Sequence, residues 1–461
     1  MRMEYPLYKE TLIDWIGAVP AHWQVDRLKW SVESCRNGVW GAEPDDSPSD
    51  TIVVRVADFD RTRLAVSLES PTYRAISDGD RRDRELNTGD LLLEKSGGGE
   101  GQPVGVVVQY DDPRPAVCSN FVARMVVAKD MHSRFWCYLH SAAYAARVNV
   151  RSIKQTSGIQ NLDQSSYLNE IAPFPPLPEQ IAIAGFLDRE TAKVDALVEE
   201  QKRLIALLKE KRQAVVAHAV TKGVNSGVPM KDTGIGWVGQ VPEHWEVCAL
   251  SRITLEKCDG PFGSGLKSEH YQEHGVRVIR LQNIRAAGFD GFDAAFIAED
   301  YYRAILRGGH SVMGGDLLVA GLGDDNHTVG RACVAPADIE PALVKADCFR
   351  FRIDQQLASP EFLAMQISAG AHFDAGMLSS GSTRSRIPLS LMASRRVALP
   401  PLDEQHEIVR EVNHQLSGLE HLLSEAEGGI SLLMERRAAL ISAAVTGKID
   451  VRALVEVEDA A

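Results

Sequence analysis

This chain has few cysteines and no long apolar run, and each shortage closes off a class of protein. Seven cysteines in 461 residues, an odd number with no C-x-x-C pair, argue against a disulfide framework or a zinc ribbon. No apolar run approaches the roughly 20 residues that cross a bilayer. The opening stretch MRMEYPLYKETLIDW lacks the apolar core of a secretory signal, so the expected location is the cytoplasm. The Asn/Asp-Pro-Pro-aromatic motif that a methyltransferase acting alone would need is missing as well. Phe174-Pro175-Pro176-Leu177 and Leu399-Pro400-Pro401-Leu402 come nearest, with apolar residues where the amide or carboxylate should stand. A metal-dependent nuclease centre built on Asp90, Glu94 and Lys95 fails on spacing, because Glu94 and Lys95 are adjacent; Asp316 in the second half has neither partner.

What is present is an ordinary globular composition, 44% hydrophobic and 25% charged, at a length that predicts two to four domains. The formal charge is −13, but the segment from Pro401 onward alone holds twelve Asp/Glu against five Lys/Arg. Net charge therefore does not exclude nucleic acid, whose binding depends on a local basic footprint.

The dominant feature is internal repetition. Residues 9–28, KETLIDWIGAVPAHWQVDRL, return as residues 231–250, KDTGIGWVGQVPEHWEVCAL. Trp15, Gly17, Val19, Pro20, His22, Trp23, Val25 and Leu28 each have an identical partner 222 positions later. PPLPEQIAI at 175–183 returns as PPLDEQHEI at 400–408, and EKRQAVVAHAVT at 210–221 as ERRAALISAAVT at 435–446, both shifted by 225. Between these anchors the register persists, with RVADFD at 55–60 facing RLQNIR at 280–285 and GDLLLEKSGGGEGQPVG at 89–105 facing GDLLVAGLGDDNHTVG at 315–330. The edges of each half agree while the interiors diverge, as if both halves fit one common partner and meet different targets. His22 and His244, in identical Pro-x-His-Trp contexts, read as packing residues.

Two kinds of segment alternate. Residues 10–174 and 232–399 are rich in glycine, proline and short β-like runs such as Ile52–Val56, Val104–Val108 and Val276–Leu281, and read as compact α+β domains. The second kind is helical, since no proline occurs from Glu179 to Val228 or after Pro401. Leu187, Val194, Leu197, Val198, Leu204, Ile205, Leu208, Val215 and Val216 form an apolar stripe on the first helix. Ile408, Val412, Leu416, Leu419, Leu423, Leu432, Leu433, Leu440 and Ile441 form that of the second, where Gly428-Gly429 predicts a kink or break.

These strings resemble the specificity subunits of type I restriction–modification systems. Residues 175–223 look like the family's central conserved region, and 400–412 with 435–449 like its distal one. Residues 11–25 and 232–247 resemble the segments that open each target recognition domain. The likeness covers essentially the whole chain; the Gly428-Gly429 break and an acidic tail from Glu456 to Ala461 depart from it.

The resemblance implies an α+β fold. Target recognition domains at 1–175 and 229–399 would be separated by two long antiparallel, coiled-coil-like helices at 176–228 and 400–461. It implies no catalytic centre and no cofactor in this chain. Each domain would read one half of a split double-stranded DNA site. The helices would fix the spacing and dock two methyltransferase (modification) subunits, with Glu179, Gln180, Glu404 and Gln405 as candidate partner contacts. Those subunits would bring S-adenosylmethionine and methylate adenine N6; restriction subunits, with ATP and Mg, would join for cleavage. The competing reading is a stand-alone DNA-modifying or nucleotide-dependent enzyme.

Base reading needs donors and acceptors on loops that enter a groove. The donor-dense segment RSIKQTSGIQNL at 151–162 offers Arg151, Lys154, Gln155, Thr156, Gln160 and Asn161; its counterpart SSGSTRSRIPL at 379–389 offers Ser382, Thr383, Arg384 and Arg386. A second pair of loops offers Lys95, Ser96 and Gln102 in one half and Asn326 and His327 in the other. Finally, DGPFGSGLKSEHY at 259–271 has the look of a phosphate loop, but the repeat places it over Gly38–Glu43, which keeps the glycine–aromatic–glycine skeleton and loses the lysine and serine. It therefore reads as a variable rim, with Trp40, Phe262 and Lys267 as candidate DNA contacts.

Overall fold

The computed structural model describes residues 4–452 except 47–49, 100, 156–157, 226, 262–264, 307–308, 325–326 and 379–384. Contacts divide the chain into two units, Met1–Gln201 with Gly428–Ala461, and Lys202–Glu427. The division falls inside both long helices, Leu177–Lys222 and Leu402–Val445.

In the first unit, a six-stranded sheet runs in the order Val32–Asn37, Val122–Val127, Leu91–Glu94, Val107–Gln109, Ala65–Val66, Phe59–Asp60. Beside it, Asp50–Val54 and Ala116–Cys118 pair in parallel, Val53 opposite Val117. The run Leu91-Leu92-Leu93 is apolar throughout because both faces of its strand are covered. Leu91 and Leu93 enter a core shared with the helix Ser133–Ala145, while Leu92 enters a second core with Ile52, Val54 and Cys118. Alternation with period two divides one apolar run between two cores.

The second unit repeats this plan. Thr254–Cys258, Cys348–Ile353, Leu317–Ala320 and Ala332–Val334 form the corresponding sheet. Val276–Ile279 pairs in parallel with Ala342–Val344, Val278 opposite Leu343. Leu317 and Val319 face one core and Leu318 and Ala320 the other. The weak register between 55–60 and 280–285 is real at atomic level. Arg55 N–H donates to Asp58 Oδ2 (2.7 Å), and Arg280 N–H to Asn283 Oδ1 (2.9 Å).

Each repeated opening segment is a small hairpin, Tyr8–Glu10 with Ala18–Pro20 and Met230–Asp232 with Gln240–Pro242. Gly17 and Gly239 close their turns at φ 68° and 61°, a left-handed conformation that explains why both positions are glycine. The tryptophan that follows each hairpin, Trp23 or Trp245, is fully buried.

That tryptophan meets the start of a long helix, and here one expectation is corrected. Glu179 accepts hydrogen bonds from Tyr5 Oη (3.0 Å), His22 Nε2 (2.6 Å) and Trp23 Nε1 (2.9 Å). Glu404 accepts from His244 Nε2 (2.7 Å) and Trp245 Nε1 (3.1 Å). Gln180 and Gln405 are buried; each accepts a backbone N–H, from His132 or Ser359, and donates to a proline carbonyl, Pro175 or Pro400. The four residues expected to touch a partner subunit are thus turned inward and tie each helix to its own globular domain. Their recurrence reflects a repeated internal joint.

Within each unit the two helix segments lie antiparallel. In the first, Asp195 pairs with Arg437 (2.9 Å), and Gly447, just past the end of the second helix, lies against Pro20 and Trp23 near the start of the first. In the second, Arg212 lies 3.8 Å from Glu420, and Gly223 at the end of the first helix lies beside Glu404 at the start of the second. The expected kink at Gly428-Gly429 does not occur, since the helix runs unbroken from Leu402 to Val445. Glycine costs about 1 kcal/mol each at such positions, and packing on both sides, through Leu416 and Leu419 and then Ile441 and Val445, outweighs that. The acidic tail lies outside the described residues.

The apolar stripes are only partly used. Leu187, Val194, Val198 and Leu208 are buried, whereas Leu197, Leu204 and Leu432 are exposed.

Candidate nucleic-acid interface

In the first domain three chain segments converge at the end of the strand Leu91–Glu94. Lys95 N–H donates to Phe121 O (2.8 Å), Leu162 N–H donates to Lys95 O (2.8 Å), and Ser96 stands opposite Asn161 in a short ladder. The second domain repeats the arrangement. Gly321 N–H donates to Asp347 O (2.8 Å), Ile387 N–H to Gly321 O (2.9 Å), and Leu322 bridges Arg386. The two candidate segments of each half, far apart in sequence, therefore form a single rim.

The rims share a backbone and differ in side chains. In the first, Lys95 Nζ donates to Asn37 Oδ1 (2.5 Å) and Ser96 Oγ to Asn161 Oδ1 (2.6 Å). Lys154 Nζ holds Asp163 at 2.6 Å while remaining exposed; Arg151 and Gln155 beside it in sequence are exposed, as is Gln102 on the other loop. Gln160 is buried and accepts from Val104 N–H (3.3 Å), so it braces the hairpin instead of presenting its amide at the surface. An open recess of about 400 Å³ lined by Cys35, Asn37, Lys95, Asp163 and Gln164 lies at this rim. Burial pushes the Cys35 thiol up to about 12, so it stays protonated and unreactive.

In the second rim Arg386 Nε donates to Asp347 Oδ1 (2.8 Å), and Asp259 Oδ1 accepts from the Asp347 N–H (2.9 Å). His327 lies between Arg285 (2.8 Å) and Asp324 (3.1 Å). Lys267 is exposed, with Nζ 3.7 Å from Glu269. Thr156, Phe262, Asn326, Ser382, Thr383 and Arg384 lie outside the described residues.

The glycine–aromatic–glycine stretch has a packing explanation. A Cβ on Gly38 would sit 1.9 Å from Cys118 O, and one on Gly260 2.1 Å from the Lys345 carbonyl carbon. Both glycines let the rim segment cross the end of the parallel strand pair at backbone contact, which is not the duty of a phosphate-gripping loop. Trp40 remains at the surface, with the Arg74 guanidinium 4.4 Å above its ring.

Sequence reading missed Arg331. It is buried, and its guanidinium donates to the carbonyls of Ile284 (2.7 Å), Leu281 (2.8 Å), Thr328 (3.0 Å) and Leu322 (3.3 Å). It holds both ends of the 322–328 segment against the 281–285 turn. The corresponding residue of the first domain is Val106, for Glu94 N–H donates to Val106 O as Ala320 N–H does to Arg331 O. Arg331→Met is expected to destabilise the second unit by about 3 kcal/mol, read as an earlier transition in urea. Nothing in the sequence signals this role, because the acceptors are main-chain atoms.

The residues weighed as a nuclease centre are engaged elsewhere. Asp90 pairs with Arg124 (2.6 Å), Glu94 with Arg61 (3.1 Å) and Lys95 with Asn37. Burial raises the Glu94 carboxyl and Arg61 opposes that rise. Among the described residues no group of three or more His, Cys, Asp or Glu could hold a metal ion, and no helix is long and apolar enough to cross a membrane.

No family model matches the chain. It is 24% identical over 341 residues to the type I restriction enzyme EcoBI specificity subunit of Escherichia coli, across 73% of this chain and 70% of that protein. It is 26% identical over 308 residues to the EcoKI specificity subunit of E. coli K12, across 66% of this chain and 63% of that one. Among solved structures, a chain from work on complex assembly and conformational transition of the type I R-M system superposes with a TM-score of 0.63 at 16% identity, covering 93% of this chain and 98% of that one.

Fold and rims together define a class in which two like-built α+β domains are joined by a pair of long antiparallel helices and present unlike polar rims. Within that class, the curated proteins that this chain resembles are specificity subunits of type I restriction enzymes, and its fold is that of a chain from a type I R-M system.

Proposed function

We propose that each recognition domain reads one half of an asymmetric, bipartite double-stranded DNA site, and that the helices fix the unread gap between the halves. The observation that carries this is the repeated rim, one backbone frame with different side chains in each copy. Two similar rims would favour a palindrome; dissimilar ones favour two unrelated half-sites. A 46-residue helix is about 69 Å long at ~1.5 Å per residue, enough to bridge readers set about 34 Å, one duplex turn, apart. The divisions of labour at 1–175, 176–228, 229–399 and 400–461 belong to this proposal.

The same reading gives the chain no chemistry of its own. Two methyltransferase subunits, carrying S-adenosylmethionine and acting on adenine N6, dock on the helices; restriction subunits using ATP and Mg complete the complex. With Glu179, Gln180, Glu404 and Gln405 committed internally, docking falls to apolar side chains that the helices leave exposed. These are Ile181, Leu197, Leu432 and Met434 in the first unit, and Leu204, Leu207 and Leu422 in the second.

Exchange of residues 232–399 for the equivalent segment of another specificity subunit tests the proposal. Genome-wide mapping of methylated adenines should show one half of the motif replaced, with the other half and the gap kept. A change in both halves would refute the division of labour.

A further inference from the structure

Five positions occupy equivalent places in the two rims, and no pair carries the same residue. They are Asn37 and Asp259, Lys95 and Gly321, Ser96 and Leu322, Phe121 and Asp347, and Asn161 and Arg386. The main-chain bonds between 95 and 121 and between 321 and 347, and the pairing of 96 with 161 and of 322 with 386, are repeated, so this frame does not by itself dictate the side chains it carries; in the second rim Asp259 adds a side-chain bond to the Asp347 N–H. We propose that this frame is the base-reading platform, and that Phe121 makes an apolar contact with a thymine methyl group in the half-site read by the first domain. The inference rests on the half-site reading above and names the residues that carry it.

Phe121 sits on a turn held from three directions. Val122 N–H donates to Ser119 O (2.9 Å), and the Phe121 carbonyl accepts from both Lys95 N–H (2.8 Å) and Ser96 N–H (3.3 Å). The backbone is fixed, yet the ring is 51% exposed. A large ring left in water on a rigid turn, beside Lys95, Ser96 and Asn161, is placed to be covered by a ligand whose polar groups those neighbours satisfy. On a major-groove base edge the apolar group is the thymine methyl, which discriminates its base pair from the other three.

The second domain uses the same position differently. Asp347 cannot make such a contact. It receives Arg386 Nε at 2.8 Å and is itself fixed by Asp259. An arginine oriented by a carboxylate suits guanine, whose O6 and N7 accept a bidentate guanidinium. Position 121/347 therefore acts as an apolar contact in one half and as the orienting group for an arginine in the other.

The test is made on the complex with its modification subunits, by mapping methylated adenines in cells carrying the Phe121→Ala chain. The first half-site should relax at one T·A pair, with methylation of sites bearing another base there rising roughly tenfold, and the second half-site should be unchanged. Asp347→Ala should relax the second half-site alone, and Phe121→Leu, which keeps an apolar contact, should retain most discrimination. An unchanged motif with Phe121→Ala, relaxation in the second half instead, or loss of all methylation with both Phe121 variants would overturn the proposal. Failure of the unaltered chain to direct methylation would instead overturn the half-site reading beneath it.

Discussion

Replacing Glu179 with alanine should lower the stability of the first unit by about 3 kcal/mol or more, measured as an earlier urea transition. Three donors, Tyr5 Oη, His22 Nε2 and Trp23 Nε1, converge on this one carboxylate. Tyr5 and Trp23 are buried, so removing the acceptor leaves their polar hydrogens without water to replace it. The same contacts anchor the first turn of the long helix to the opening hairpin, so helix and domain should lose their connection together. Glu179→Gln should fall between, because a single amide oxygen cannot serve three donors well. Glu404→Ala should cost less than Glu179→Ala, since among the described residues two side-chain donors, His244 and Trp245, reach that carboxylate and His244 is 46% exposed. Equal costs at the two positions would mean that the third donor, Tyr5, contributes nothing.

Gly38→Ala and Gly260→Ala should each destabilise their domain by about 3 kcal/mol or more, with impaired DNA binding because the rim must move. The added methyl would meet main-chain atoms at 1.9 Å and 2.1 Å, far inside van der Waals contact. Neither neighbour is a flexible side chain that could swing aside; each belongs to the segment leaving the parallel strand pair. Gly428→Ala supplies the opposite case. Nothing lies within 4 Å of its Cβ position and the backbone is helical, so alanine should stabilise the helix by up to about 1 kcal/mol. Paired thermal melts of the three variants check both signs. If Gly260→Ala proved neutral, the packing account of the glycine–aromatic–glycine stretch would be wrong.

Much of this architecture is legible in the chain because the chain is written twice. The offset of 222 in the opening segments and 225 in the helices aligns the hairpins, the buried tryptophans and the helix starts before any coordinates are consulted. It also disposes of the phosphate-loop reading, since one copy keeps the glycines without the lysine. Lys95, Ser96, Asn161 and Arg386 were legible as surface donors in an otherwise acidic protein.

Other features could not be read. Repetition shows that a residue matters in both halves without showing which way it points. The Glu-Gln pairs therefore looked like partner contacts, when their side chains satisfy buried indoles, half-exposed imidazoles and main-chain groups. Gly428-Gly429 looked like a break because local propensity opposes a helix there, and packing over dozens of flanking residues outweighs roughly 2 kcal/mol of local cost. Gln160 looked like a reader among readers, and strand alternation turned it inward.

The sequence by itself determined the duplicated plan, the α+β domains and the long helices, because periodicity, proline placement and repetition are one-dimensional properties. Only the tertiary structure decided that residues 37, 95, 121 and 161 share one rim, that Arg331 braces a loop of the second domain through carbonyl oxygens, and that several leucines of the long helices stay exposed. Those facts depend on which atoms meet between segments distant in the chain, and side-chain chemistry read in order does not encode such meetings.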